Sequence, residues 1–181
     1  MLVNNRPAYI CLNLFRLDLF KKYDITFPEG REFEDIITKV KLLYYSKRVA
    51  FTDDKLYYYL MRNESITNNR ITTRRCQDFM DSVSDVSNFL HKVTSVNRFT
   101  YLSFYELCSL MTLLNYLARE DKPTNDMKLN WKVVRGKLLS IYPKTLFPSA
   151  RSKLVSKMRL MLSANMPFYS SVYKVKKGIA K

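Results

Sequence analysis

The stretch TRRCQDFMDSVSDVSNFLHKV, residues 73–93, places Phe79, Val83, Val86, Phe89 and Leu90 on one face at helical spacing. The spacing predicts an amphipathic helix. The same period recurs over residues 100–118 through Tyr101, Phe104, Tyr105, Cys108, Met111 and Leu114. Two further helices are expected over residues 127–141 and 149–163, divided by Tyr142-Pro143 and Phe147-Pro148, and Pro167 is suited to open a last one. The chain therefore reads as helical from about Thr73 onward. Only 3 of its 181 residues are glycine and 6 are proline, which argues against a loop-rich sandwich and a glycine-rich phosphate-cradling fold. With 47% hydrophobic residues, a buried core is well within reach at this length.

Upstream, residues 8–22 (AYICLNLFRLDLFKK) put Leu12, Phe15, Leu19 and Phe20 at helical spacing, with Lys21 and Lys22 where a helix C-terminus favours cations. Pro28 and Gly30 interrupt the next stretch, and Phe33, Ile36, Ile37, Val40, Leu43 and Tyr44 then predict a helix over residues 31–46. The segments RVAFTD (48–53) and KLYYYL (55–60) are rich in aromatic and β-branched residues and read as strands or extended segments about Asp53-Asp54. The polar stretch MRNESITNNRITTRR that follows Leu60 reads as a loop. The fold expected is mainly α with a small β element.

Charge divides the chain. The total of 31 Lys+Arg against 16 Asp+Glu gives a formal net charge of +15, yet the last acid is Asp126 and the 55 residues after it carry 13 of the basic side chains. A surface so cationic calls for an anionic partner, either nucleic acid or a membrane. In 149–163, Leu154, Val155, Met158, Met161 and Leu162 form a stripe flanked by Lys153, Lys157 and Arg159, so residues 149–181 are a candidate contact for an anionic membrane surface. The stripe is equally suited to packing on residues 73–118. Nucleic acid is the weaker candidate, because the sequence holds no helix-turn-helix, zinc-finger or RNA-recognition pattern.

Three cysteines, Cys11, Cys76 and Cys108, are odd in number and lie in apolar runs, which suits reduced buried thiols in the cytoplasm rather than disulfides or zinc. His91 is the only histidine, so no histidine-based metal cage is expected and no metal ligands are assigned. No signal peptide is expected, because Asn4, Asn5 and Arg6 break the first apolar stretch, and no run of about 18 apolar residues predicts a membrane span.

The densest chemical signature is FPEGREFED, residues 27–35: a Pro-Gly connector delivers the adjacent carboxylates Glu34 and Asp35 to a first helical turn. Acids there also stabilise the helix dipole without any further role. In order, NLFRLDLF (13–20), ITFPEG (25–30), Glu34-Asp35, KRVAF (47–51), LYYY (56–59) and Arg62 with Ser65-Ile66-Thr67 resemble the last third of the catalytic domain of family 2 glycosyltransferases of the GT-A fold. Residues 9–70 carry the resemblance. It implies inverting transfer of a sugar from a nucleotide sugar to a hydroxyl of a growing surface glycan or a lipid-linked acceptor. By the same resemblance Asp35 is the catalytic base, Glu34 orients the acceptor, and Arg62, Ser65 and Thr67 approach the donor diphosphate.

A divalent metal, Mn or Mg, belongs to the intact family, whose Asp-x-Asp ligand motif and nucleotide-binding half are both missing from this sequence. The expected organisation is therefore a C-terminal glycosyltransferase portion (1–70), a helical subdomain (71–126) and a basic helical tail (127–181), at most peripheral at the inner face of a membrane. The chain alone is expected to be inactive. The alternatives are a basic helical module for nucleic acid and a non-catalytic structural module.

Overall fold

The computed structural model describes residues 9–52, 54–58, 60, 71–93, 98–119, 122–141 and 166–177. A single 3₁₀ turn (Ile10–Leu12) precedes six α-helices: α1 (Leu17–Lys22), α2 (Glu34–Tyr45), α3 (Thr73–Val93), α4 (Arg98–Ala118), α5 (Asn125–Ile141) and α6 (Met166–Lys177).

Helix α4 is the centre of the core because its apolar residues are too many for one face. Leu107, Leu110, Met111, Leu113, Leu114, Leu117 and Ala118 are all buried, and α3, α5 and α6 all pack against it. A helix apolar around most of its circumference is stable in water only when neighbours cover every side. Helix α3 contributes Cys76, Phe79, Met80 and Val83, and α5 contributes Met127, Trp131, Val134 and Leu138. From α6, Met166 and Tyr169 enter the same cluster. The Tyr169 hydroxyl donates to Asn115 Oδ1 at 2.8 Å, and Ser170 Oγ donates to the Ala118 carbonyl at 2.6 Å. These bonds satisfy the polar atoms that α6 brings into the core. One hydrophobic core thus spans both sides of Asp126. The side chains of Tyr101 and Phe104, and the expected helix 149–163, lie outside the described residues.

Helix α2 is fastened to the outside of α3, and the connector before it is clamped along α3. Arg74 donates to the Gly30 carbonyl at 2.7 Å, Arg75 Nε donates to the Glu32 carboxylate at 2.7 Å, and Asp78 accepts the Glu32 backbone N–H at 3.1 Å. Ser82 Oγ donates to the Phe33 carbonyl at 3.0 Å, and Arg31 is ion-paired with Asp85. Residues 75, 78, 82 and 85 recur at three, four and three, which places them along one stripe of α3. Below the clamp the Phe33 ring meets Phe79 edge-on, with centroids 5.1 Å apart. At the far end of α2, Tyr44 and Tyr45 both pack on Phe89, and the Tyr44 hydroxyl donates to the Val93 carbonyl at 2.9 Å.

Two positive φ angles shape the clamped residues 30–33. Gly30 at φ 73° is the residue type that takes this conformation without steric cost. Phe33, with φ 63° and ψ 25°, caps α2 in the left-handed region, which costs a bulky residue roughly 1–2 kcal/mol. The ring contact with Phe79 and the bond from Ser82 offset that cost.

The expected β element is overturned. Among the described residues there is no strand, so the structure is all-α and the GT-A α/β domain that the resemblance implies is not what this chain forms. Around Asp54, local bonds occupy the groups that a ladder would use. Thr52 Oγ1 donates to Asp54 Oδ2 at 2.6 Å and accepts the Asp54 N–H, while Leu56 N–H reaches the Asp54 carbonyl at 3.1 Å. Phe51, Leu56 and Tyr58 are exposed, Tyr58 almost completely. Their composition favours a pleated, half-buried surface, and no second strand among the described residues supplies one.

The first expected helix is likewise broken. Residues 9–22 form the 3₁₀ turn, an extended link and short α1, because Asn13 Nδ2 donates to the Tyr9 carbonyl at 2.9 Å and its backbone is extended (φ −136°, ψ 147°). Asn13 therefore ends the turn it follows.

Leu114→Ala should lower the unfolding free energy by about 2–5 kcal/mol in urea titration, whereas Leu14→Ala, at a fully exposed position, should change it by less than about 0.5. Ser82→Ala, which leaves the Phe33 carbonyl only the Ile36 N–H at 3.3 Å, should cost about 0.5–1.5 kcal/mol. Its mark should be faster amide hydrogen exchange in residues 30–36 than in α4.

Candidate functional site

Asp35 occupies the first turn of α2, two residues beyond the clamped connector. Its position is thus set by α3 through residues 30–33 rather than by α2 alone. The 3₁₀ turn roofs it from the other side: the Ile10 N–H donates to the carboxylate. One helical turn further on, Lys39 is buried, with Nζ 3.4 Å from the Tyr9 carbonyl. Between them, buried Thr38 donates to the Glu34 carbonyl at 2.9 Å, which ties its hydroxyl to the helix backbone.

The electrostatics are unusual for the start of a helix. A carboxylate there is ordinarily held below its free value by the dipole and by N–H donors. The Asp35 pKa is instead raised, first by burial and next by the adjacent Glu34 charge, against the opposing pull of the Ile10 N–H and of Lys39. Lys39 moves the other way: burial lowers its pKa, and the charge of Asp35 and the neighbouring Cys11 only partly restore it. The two groups are desolvated opposites, each drawing the other back toward its charged form against the larger effect of burial. Chemically, the site offers a carboxylate of increased basicity on a fixed backbone.

Glu34 shares the first turn with Asp35 and acts on it as a like charge. Arg62, Ser65 and Thr67, expected near a donor diphosphate, lie outside the described residues. Sequence reasoning missed Lys39 and the Tyr9–Cys11 turn. The i, i+4 spacing of Asp35 and Lys39 was a usable signal, since such pairs meet on one helix face.

For the divalent metal that the resemblance implies, the described residues do not fit: no group of three or more His, Cys, Asp or Glu side chains converges among them. No step is assigned to a metal here. All three cysteines are free; Cys76 is buried, and burial pushes its thiol up to about 11, while Cys11 is exposed and Cys108 half-buried. A cavity of about 230 Å³ between α3, α4 and α5, lined by Met80, Val83, Glu106, Leu110 and Lys137 among others, contains none of the residues of the Asp35 site. Among the described residues no helix is long and apolar enough to cross a membrane.

Comparison with protein-family models, curated proteins and solved structures returns no match.

The raised Asp35 pKa sets the sign of a pH effect. The folded state binds this proton more tightly than the unfolded chain, so the contribution is fully present below the unfolded pKa and is lost as pH rises through the folded value. Asp35→Asn should therefore leave stability at neutral pH unchanged or higher. The stability gap between Asp35→Asn and the parent should narrow in the parent's favour on acidification. Carboxyl-carbon NMR should place the Asp35 midpoint above the ordinary aspartate value, and a midpoint at or below it would contradict the burial described here.

Proposed function

We propose that residues 9–70 are the acceptor-side portion of an inverting sugar transferase resembling family 2 glycosyltransferases, with Asp35 as general base. The reading rests on the Asp35 site. A base that must take a proton from a sugar hydroxyl works best with a pKa moved up toward the working pH, and burial moves Asp35 in that direction. An acid present only to stabilise the helix dipole would be shifted down. The clamp from α3 supports the same reading, because a general base must be held within hydrogen-bond reach of one hydroxyl.

In this mechanism an acceptor hydroxyl donates to the Asp35 carboxylate, which takes the proton as the oxygen attacks the anomeric carbon of the donor sugar. The leaving nucleoside diphosphate departs from the opposite face, so configuration inverts. Glu34 orients the acceptor, and Lys39 keeps Asp35 ionised between turnovers. Arg62, Ser65 and Thr67 remain assigned to the diphosphate by resemblance. A general base contributes about 10²–10⁴ in rate, far short of a full enzyme, so donor binding is assigned to a second polypeptide segment.

The isolated chain should release no nucleoside diphosphate from a panel of nucleotide sugars. Fused behind the nucleotide-binding half of a family 2 enzyme, it should support transfer, and Asp35→Asn should lower kcat by about 10²–10⁴ with donor KM little changed. Equal kcat for the two fusions would exclude Asp35 as the base.

A further inference from the structure

We propose that the solvent face of α5 is a docking surface for an anionic lipid bilayer. The inference is independent of the sugar-transfer reading and uses none of its residues.

Helix α5 has two faces of opposite character. Met127, Asn130, Trp131, Val134 and Leu138 are buried against the bundle. On the outward side, positions 129, 133, 136 and 140 follow one another at four, three and four, forming a single stripe along the helix. Leu129, 60% exposed, and Val133, 45% exposed, begin that stripe and Gly136 and Ser140 continue it, while Leu139, 47% exposed, lies about a quarter-turn round the helix beyond Lys132. Lys132 flanks the stripe on one side and Lys137, which also lines the cavity beside α3 and α4, on the other, with Lys128 one turn before Lys132, and all three are exposed. Asp126, in the first turn, is the only acid on the helix, and none follows it to the end of the chain.

A basic face with apolar side chains along its middle distinguishes a bilayer from the other polyanions. Nucleic acid is engaged mainly by charged and hydrogen-bonding groups on phosphates and base edges, and gains little from exposed leucine and valine. At a bilayer the same residues enter the boundary between headgroups and acyl chains, while flanking lysines extend their ammonium groups back to lipid phosphates. Gly136 fits this arrangement. A Cβ there would meet nothing within 4 Å, so neither packing nor a left-handed φ calls for glycine. Its effect is to keep the middle of the stripe flat.

The test is flotation of the full 181-residue chain with vesicles of phosphatidylcholine alone and of phosphatidylcholine containing phosphatidylglycerol. Partition is expected onto the anionic vesicles, to weaken with added salt, and to be much lower on the neutral ones. Lys132→Gln with Lys137→Gln should weaken it about 30-fold, taking each lysine near the surface at its typical value. Leu129→Gln with Val133→Gln should weaken it at least about tenfold. All four positions are exposed, so thermal melts of both variants should overlay the parent and exclude misfolding as the cause. Undiminished partition by either double variant would overturn the proposal, because binding would then come from charge elsewhere in the chain. Equal partition onto neutral vesicles, no partition at all, or duplex DNA binding as strong as vesicle binding would overturn it too.

Discussion

The interaction on which the arrangement depends is the clamp that α3 places on residues 30–33. Four α3 positions spaced three, four and three apart hold two backbone groups and two charged side chains of a connector with no regular structure of its own. A connector costs conformational entropy to fix at every residue, and scattered surface contacts seldom return it. Here the bonds are largely charge-assisted and half-buried, where they are stronger than at an open surface. Because the clamp holds Phe33 in the left-handed region, it also fixes the direction in which α2 leaves, and with it the position of Asp35.

The core and the candidate site therefore depend on α3 in different ways. The apolar side of α3 joins α4 and α5 in one hydrophobic cluster. Its polar stripe carries the connector. A single helix thus links a body stabilised by burial to a site stabilised by ion pairs and hydrogen bonds, and the two respond to different perturbations. Truncating a leucine of α4 opens a cavity at the centre, whereas removing a clamp partner releases the Asp35 turn and leaves the bundle intact.

Much of the helical layout was legible from periodicity, since the apolar spacings in 73–93, 100–118 and 127–141 correspond to α3, α4 and α5. Legibility failed where local side-chain bonding competed with the period. Asn13 broke the helix expected over 8–22, and the Thr52–Asp54 turn took up groups that a strand would have needed. At the site, Glu34 and Asp35 could be nominated from the Pro-Gly connector before them. The burial of Lys39 could not, because it comes from the 3₁₀ turn folding over α2 from about thirty residues away.

By itself the sequence determined the long helices α3, α4 and α5 and where the charge lies, because both follow from residue type and spacing along one chain. It determined equally that nearly all the excess cationic charge falls after Asp126. Only the tertiary structure decided that the aromatic segment after Arg48 is not part of a sheet, since a strand exists only with a partner at hydrogen-bonding distance. It also decided that Asp35 becomes more basic rather than less. The shift is a contest between desolvation and nearby dipoles and charges, and its winner depends on which distant residues are brought to cover the carboxylate.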